Sequence, residues 1–466
     1  MIQARKGMSA RFSSLDVLRG TAILGMVFSG VVPRGILPAW MYHAQVGPPD
    51  HVFNPNLPGL TWVDLVFPFF LFCMGVAFPL SLRKMIEQGV TNSKIVLRIL
   101  QRGLALGTFA ILLQHMRPHQ IENPPGITIW LTAILGLFVL FGVYSRYGHP
   151  FLQSKEKWIR RGSWLVLLLW IPFFNLISDN SFSLGRSDII LIVLTNMAIA
   201  GGLIWLFTRD YPLIRLGILA LFLAFRLAHG ESEWMQAAWS SSPVPWLFRW
   251  DYLKYLFIVI PGTFAGEILL WSAKQKFDRM KIMHSSILSV LTGTLLLTSL
   301  IGYQSRWLVG TTLILSALTA VGLLLSTKIS NASIAKLIYW GSFWLVLGIL
   351  FEPFEGGIKK DPSTLSYYFL GAGLAHYLLA SLTVWGEQLN GSRLARLLRD
   401  NGRNPMVAYV LMANLIWPLS ALLGIEHQIQ KLAGNAGLLL TIAILKTLIL
   451  ALIVQSITKR GWQWKT

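Results

Sequence analysis

The chain has 466 residues, of which 54% are hydrophobic and 13% are charged, whereas an ordinary soluble domain has roughly 25% charged residues. Its mean hydropathy is +0.58, and apolar runs recur along the whole length, which excludes a water-soluble globule. The formal charge of +20 comes mostly from Lys and Arg in short loops between apolar runs. Basic residues at those places orient transmembrane helices, so we expect the lipid bilayer as a partner and no nucleic acid.

The apolar runs predict an all-α polytopic integral membrane protein with about 11–14 transmembrane helices in one bundle, since each run is near the ~20 residues needed to span a bilayer. The first run begins near Leu15 and contains Asp16 and Arg19, so we expect a retained helix and not a cleaved signal peptide. Residues 1–466 are interpreted as a single transmembrane domain with a long non-cytoplasmic loop at 34–61. The segments are placed at 15–33, 62–82, 96–114, 127–145, 163–178, 188–208, 213–229, 253–273, 284–303, 307–326, 334–352, 364–386, 405–424 and 436–457.

The orientation follows from counting basic residues on alternate sides of these segments. The side that holds the amino terminus carries 27 of the 40 Lys and Arg, the opposite side carries 9, and four lie within helices. Because cytoplasmic loops are enriched in Lys and Arg, this asymmetry predicts that both termini are cytoplasmic.

Two non-cytoplasmic loops have unusual compositions. The loop at 34–61 contains His43, Asp50 and His51, and six prolines between positions 33 and 58 argue against a helix there. The second loop reads EPFEGGIKKDPST at 352–364 and includes Lys360 and Asp361. Long loops with a defined path often carry function.

Ionisable side chains inside apolar segments are costly, by about 2.5–3.5 kcal/mol on insertion scales, and are therefore candidate functional residues. Asp16 and Arg19 lie three residues apart on one helix face, where they either neutralise each other or form part of a polar site at the cytoplasmic mouth. The full set is Asp16, Arg19, Asp64, Arg102, Arg226, Glu267, His376 and Lys446.

Asp64 and the two loop histidines are the candidate catalytic group. Asp64 follows Thr61 by three residues, which predicts either a helix cap or a carboxylate that orients a nearby histidine. His43 or His51 could then act as a general base near neutral pH. The spacing H-x6-DH matches no zinc pattern, so no metal is expected, and motifs for hydrolases, NTPases and nicotinamide enzymes are absent from the sequence.

Several motifs resemble the heparan-alpha-glucosaminide N-acetyltransferase family and its bacterial homologues. They are SLDVLRGTAILGMVF at 14–28, the pair His43 and Ala44, and GLTWVDLVFPFFLFCMGVAFPLSL at 59–82. Weaker matches are KKDPSTLSYYFLGAGLA at 359–375 and GRNPMVAYVL at 402–411. Asp16, Arg19, Asp64, Lys360 and Asn404 fall on motif positions.

The resemblance implies an acyltransferase that moves acetyl from cytoplasmic acetyl-CoA to an amino-sugar or glycan acceptor across the membrane. A loop histidine would be the general base or the acetyl carrier, with Asp16, Arg19, Arg102, Lys360 and Asn404 binding the substrates. The linker from His43 to Gly59 is longer than in the family, which leaves two candidates for the family's loop histidine. The alanine that follows His43 favours His43, and the shorter distance to Gly59 favours His51. The resemblance also implies a bacterial inner membrane, and this interpretation allows a homodimer.

Another class of protein fits the same composition. A sugar or lipid-linked glycan transporter or flippase would also be polytopic with charges inside the membrane. The sequence shows no internal repeat, and a transporter would keep its polar residues near the midplane, whereas His43 and His51 lie in a loop. A structural membrane subunit is the third interpretation.

Overall fold

The computed structural model describes residues 2–177, 181–273, 282–431 and 434–464. The α-helices are α1 (Ile2–Ser29), α2 (Trp62–Glu87), α3 (Asn92–Gln114), α4 (Pro118–Ile121), α5 (Ile127–Tyr144), α6 (Pro150–Ile177), α7 (Ile189–Thr208), α8 (Pro212–Ala228), α9 (Glu233–Ser240), α10 (Leu256–Ala273), α11 (Ile282–Gln304), α12 (Leu308–Lys328), α13 (Ala332–Leu350), α14 (Leu365–Val384), α15 (Gly386–Gly391), α16 (Arg393–Arg403), α17 (Pro405–Leu411), α18 (Trp417–Leu422), α19 (Ile425–Gln430) and α20 (Ala436–Lys459). Shorter elements are the 3₁₀ helices Ala39–Met41, Ala44–Val46 and Trp250–Tyr255, the π-helical segment Met412–Ile416, and the antiparallel strands β1 (Ser145–Arg146) and β2 (Gln463–Trp464).

The prediction of an all-α polytopic membrane protein is confirmed. Within the described residues, eleven spans are long and apolar enough to cross a membrane, or twelve if α8 and α9, bent by 119°, form one broken span. Each of the fourteen apolar segments named above overlaps helical structure. Three of these helices, α1, α6 and α8, are not among the eleven spans because they are not by themselves long and apolar enough.

Several boundaries differ from the sequence prediction. Helix α1 begins at Ile2 and α6 at Pro150, well before the predicted starts at 15 and 163, because polar and basic residues can extend a helix without raising its hydropathy. The count of basic residues on the amino-terminal side includes Arg215, in a stretch at 209–215, and the structure places this residue inside α8. The loop at 34–61 has no α-helix but contains two 3₁₀ turns. The basic stretch at 274–281 lies outside the described residues.

The chain forms two compact units, of which the first comprises Met1–Val96, Ala200–Leu227 and Lys254–Gly402. Glycines allow α2 and α10 to pack backbone to backbone. A Cβ on Gly75 would lie 2.0 Å from Val259 O, and one on Gly262 would lie 2.4 Å from Phe72 O. Small residues at such crossings are typical of transmembrane helix packing. These contacts fix the position of α2, and Asp64 lies in the first turn of this helix.

The second unit comprises Leu97–Ile199, Ala228–Leu253 and Arg403–Thr466. In this unit α5 packs against α6 and α18. Asn414, in the π-helical segment, donates to Met116 O over 2.8 Å, and the strands place Ser145 opposite Trp464. That residues 1–466 act as a single transmembrane domain stays a prediction.

Candidate active site

Asp64 is a fully buried carboxylate, 0% exposed, in the first turn of α2. Its Oδ2 accepts hydrogen bonds from Thr61 N at 2.9 Å and Ala44 N at 3.2 Å, and the Thr61 hydroxyl lies 3.0 Å away. The cap predicted from the Thr61 to Asp64 spacing is therefore present. The same carboxylate also binds the backbone of the 34–61 loop, so it connects the helix to the loop. Backbone N–H donors stabilise the ionised form of a buried carboxylate.

The second oxygen of Asp64 faces the ring of His43. Oδ1 of Asp64 lies 3.3 Å from Nδ1 of His43 and has no other hydrogen-bonding partner among the described residues. His43 also begins the 3₁₀ helix Ala44–Val46, and its Nδ1 lies 3.1 Å from Gln45 N.

The tautomer of His43 decides which of these two contacts is made. If Nδ1 accepts from Gln45, a buried oxygen of Asp64 is left without a donor, which is unfavourable by about 1–3 kcal/mol or more for a charged group. If Nδ1 carries the proton, it donates to Asp64 and leaves Nε2 with a free lone pair, and Gln45 N loses its acceptor. An unmet neutral N–H costs less than an unmet oxygen of a charged carboxylate. We infer the second arrangement, which is that of a general base oriented by a carboxylate.

The electrostatic surroundings keep His43 neutral. Burial lowers the pKa of His43 below 6.5, the charge of Lys360 lowers it further, and Asp64 and Asp361 oppose this shift. A neutral imidazole with a free Nε2 at physiological pH can take a proton from a substrate.

Lys360 reaches the same place from the loop between α13 and α14. Burial lowers the pKa of Lys360, opposed by the negative charges of Asp64 and Asp361. Gly59 N donates to Ile358 O at 2.9 Å, which joins the two loops. The structure therefore brings together three of the predicted residues, His43, Asp64 and Lys360, although the last is about 300 residues from the other two in sequence.

The Lys360 loop is held in place by charged contacts that sequence reasoning missed. Arg226 of α8 binds Oε1 of Glu355 at 2.5 Å and donates to Ser363 O at 2.6 Å. Oε2 of Glu355 accepts from Leu365 N at 2.6 Å, at the first residue of α14. Arg226 was singled out as an ionisable residue in an apolar segment, but no spacing in the sequence points to Glu355 as its partner.

A second ion pair and a tyrosine also hold the Lys360 loop and Asp64 in place. Arg306 donates to Glu352 at 2.9 Å, near the start of the same loop. Tyr367 of α14 donates to the backbone oxygen of Asp64 at 2.8 Å. The catalytic candidates are therefore held by α2, α8 and α14 and by the turn that follows α11.

His51, the other candidate histidine, is placed differently. Its Nε2 accepts from Gly35 N at 2.8 Å, its Nδ1 lies 3.1 Å from Val46 O, and its ring packs edge-on against Tyr42 at 4.5 Å. A neutral ring with its proton on Nδ1 satisfies both contacts. Both nitrogens of His51 are therefore bound to loop backbone.

Asp16 and Arg19 form the predicted ion pair at 3.3 Å, and Arg19 also donates to Gly402 O at 3.2 Å. They lie away from His43. Helix α14 contacts Asp64 through Tyr367 and contacts Ser14 of α1 through Thr383. The sixteen residues between those two contacts correspond to about 24 Å of helix, which is close to the ~30 Å hydrocarbon core of a bilayer.

The remaining two predicted binding residues lie in the second unit. Arg102 is on an exposed face of α3. Asn404 is 1% exposed, donates to Trp462 O at 2.9 Å and accepts from Trp464 N at 3.1 Å. Asn404 therefore anchors the carboxyl-terminal segment.

No three His, Cys, Asp or Glu side chains converge as potential metal ligands within the described part of the chain. Fold and site thus define a polytopic membrane protein in which a half-buried histidine faces a buried aspartate beside a lysine-bearing loop.

The chain belongs to the family described as "Domain of unknown function (DUF5009)", which matches residues 11–269, more than half of its length. It is also distantly related to a mouse heparan-alpha-glucosaminide N-acetyltransferase. The two are 28% identical over 150 residues, which cover 29% of this chain and 21% of the mouse protein. The match thus spans about a fifth of the relative, which is itself a transferase by its name.

Proposed function

We propose that the protein is a membrane acetyltransferase that moves acetyl from acetyl-CoA on the cytoplasmic side to an amino-sugar or glycan acceptor on the opposite side. The observation that carries this proposal is the His43–Asp64 pair, which provides an oriented base with a free Nε2. The distant relationship to an N-acetyltransferase supports the same type of reaction.

In the proposed reaction, Nε2 of His43 takes a proton from the acceptor amine or hydroxyl while that group attacks the thioester carbonyl. The new C–N or C–O bond forms, the C–S bond breaks, and the CoA thiolate leaves and is protonated by the imidazolium. Asp64 holds the ring and stabilises the imidazolium. General-base catalysis of this kind contributes typically about 10²–10⁴ in rate.

A covalent variant uses the same residues. Nε2 of His43 would attack the thioester to form acetyl-histidine and release CoA, and the acceptor would then take the acetyl group from the ring. In both variants Lys360 stabilises the negative charge that develops on the carbonyl oxygen, since a cation in a partly desolvated site acts strongly on such charge.

The cytoplasmic half of the proposal rests on the other end of α14. Asp16, Arg19 and the amphipathic helix α16 lie near that end. The basic residues of α16 would contact the phosphates of CoA, for which arginine is well suited. The ~24 Å of α14 between its contacts with Asp64 and Ser14 fits a reaction whose two substrates come from opposite sides of the membrane.

Acetyl transfer by the purified protein in detergent tests the proposal. Labelled acetyl-CoA is supplied with glucosamine, and His43→Ala protein serves as the matched control. We expect labelled N-acetylglucosamine from wild type and at least about 10²-fold less from the variant. A wild-type protein that neither transfers label, hydrolyses acetyl-CoA nor binds it would contradict the proposal and favour the transporter interpretation.

A further inference from the structure

An open cavity lies at the surface of the 34–61 loop, the loop that contains His43. Its volume is about 420 Å³, and its walls are formed by the stretch from Gln45 to Leu57. This volume is in the range of about 300–1,000 Å³ that small-molecule sites occupy. The wall begins two residues after His43, in the 3₁₀ helix that His43 starts.

The cavity wall contains a buried acceptor without a donor. Gln45 is 0% exposed; its Nε2 donates to Leu57 O at 2.8 Å, and its backbone oxygen accepts from Asn54 N at 2.9 Å. Its Oε1 is buried without a hydrogen-bonding partner among the described residues. Because this oxygen has no accessible surface, it lies behind the cavity wall and is not a contact for a ligand.

Two exposed side chains add complementary chemistry. Asp50 lines the cavity, and its carboxylate makes no hydrogen bond or ion pair within the described part of the chain. Phe53 lines the same cavity and is 47% exposed. The cavity therefore offers a carboxylate acceptor and an aromatic ring.

We propose that this cavity is a subsite for a hydroxyl-rich sugar ring of the acceptor, and this proposal rests on the proposed acetyltransferase function. A sugar ring presents several O–H donors, which suit the exposed carboxylate of Asp50. It also has an apolar C–H face, which suits the ring of Phe53. A ring bound here would position the neighbouring amino-sugar unit at His43.

His51 maintains the shape of this subsite. It adopts a φ of 50°, in the left-handed region, and its ring nitrogens contact Gly35 N and Val46 O. Val46 precedes the cavity wall residue Gly47, whose oxygen accepts from His51 N at 3.1 Å. The second histidine thus acts as a structural support for the acceptor subsite.

Binding without acetyl-CoA tests the proposal separately from catalysis. The β1,4-linked dimer of glucosamine and glucosamine itself are titrated into detergent-solubilised wild type, Asp50→Asn and Phe53→Ala, and binding is followed by saturation-transfer NMR. Trp40→Ala is the matched control, because Trp40 is an exposed aromatic of the same loop, 57% exposed, outside the cavity lining.

We expect the dimer to bind wild type more tightly than glucosamine does. Asp50→Asn should weaken dimer binding about tenfold and Phe53→Ala about fivefold, while Trp40→Ala binds as wild type does. The proposal is overturned if wild type does not bind the dimer, or if all three variants bind it equally well. Acetyl transfer to glucosamine by that same wild-type protein would show that the subsite proposal fails while the proposed function stands.

Discussion

His43 and His51 lie eight residues apart in one proline-rich loop, and their surroundings differ. Within the described part of the chain, His43 forms an ion-pair contact with Asp64, and no hydrogen bond is made by its Nε2. His51 has both nitrogens bound to loop backbone and its ring against Tyr42. In the proposed mechanism this difference assigns the chemistry to His43, whose Nε2 is available, and the support of the loop to His51.

The largest expected effect is that of replacing His43. His43→Ala should lower the kcat of acetyl transfer about 10³-fold, because the base is removed while the rest of the site stays. Initial rates at saturating acetyl-CoA measure this, with the thermal unfolding midpoint as the control for folding. A loss below tenfold would mean that another group takes the proton.

Asp64→Asn should lower kcat by about 10²–10³-fold, because an amide can donate to Nδ1 and so favours the tautomer whose Nε2 carries the proton. The measurement is the same initial rate. Asn keeps the size of the side chain and an oxygen for Thr61 N, so the helix cap persists. An active Asn variant would show that Asp64 is a cap alone.

Lys360→Met should lower kcat about 10²-fold, through loss of the cation beside the thioester carbonyl. The methionine preserves the apolar stem of the lysine. Equal rates for wild type and this variant would remove Lys360 from the proposed mechanism.

The pH dependence sharpens the account of His43. Burial and Lys360 lower the pKa of His43 below 6.5, so the acid limb of kcat/KM should lie below pH 6.5, with the rate falling about tenfold per pH unit on that limb. Lys360→Met should move this acid limb to higher pH, because a neighbouring positive charge is lost. Asp64→Asn should move it to lower pH. Shifts of the opposite sign would contradict the assignment of the limb to His43.

His51→Ala gives the smallest expected effect on chemistry. The variant loses two hydrogen bonds, so its free energy of unfolding should fall by about 1–2 kcal/mol, while kcat with glucosamine falls less than tenfold. Thermal unfolding and initial rates measure the two quantities. His51→Asn is the control, since Asn tolerates a positive φ better than Ala does.

The sequence predicts the fold class because hydropathy reports spans directly, and each apolar segment became a helix. It misses the polar first turns of α1 and α6 and the short helices α9, α15 and α19, whose residues carry no such signal. Positive-inside counting gives an orientation, which stays a prediction.

Only part of the candidate site can be predicted from the sequence. Asp64 is visible as a cap residue beside two histidines, and the family motifs point to Lys360. Which histidine faces Asp64 depends on the path of the proline-rich loop, since a 3₁₀ helix after His43 and a positive φ at His51 set the two rings apart. The Arg226–Glu355 contact joins residues 129 positions apart, and no local pattern encodes it.

The most direct test of the central claim is the ratio of acetyl-transfer rates of His43→Ala and His51→Ala, measured side by side with labelled acetyl-CoA and glucosamine in the same detergent. The account predicts that His51→Ala retains at least about tenfold more activity than His43→Ala. Equal activities, or a His51→Ala protein that is folded and less active than His43→Ala, would contradict the assignment of His43 as the catalytic base.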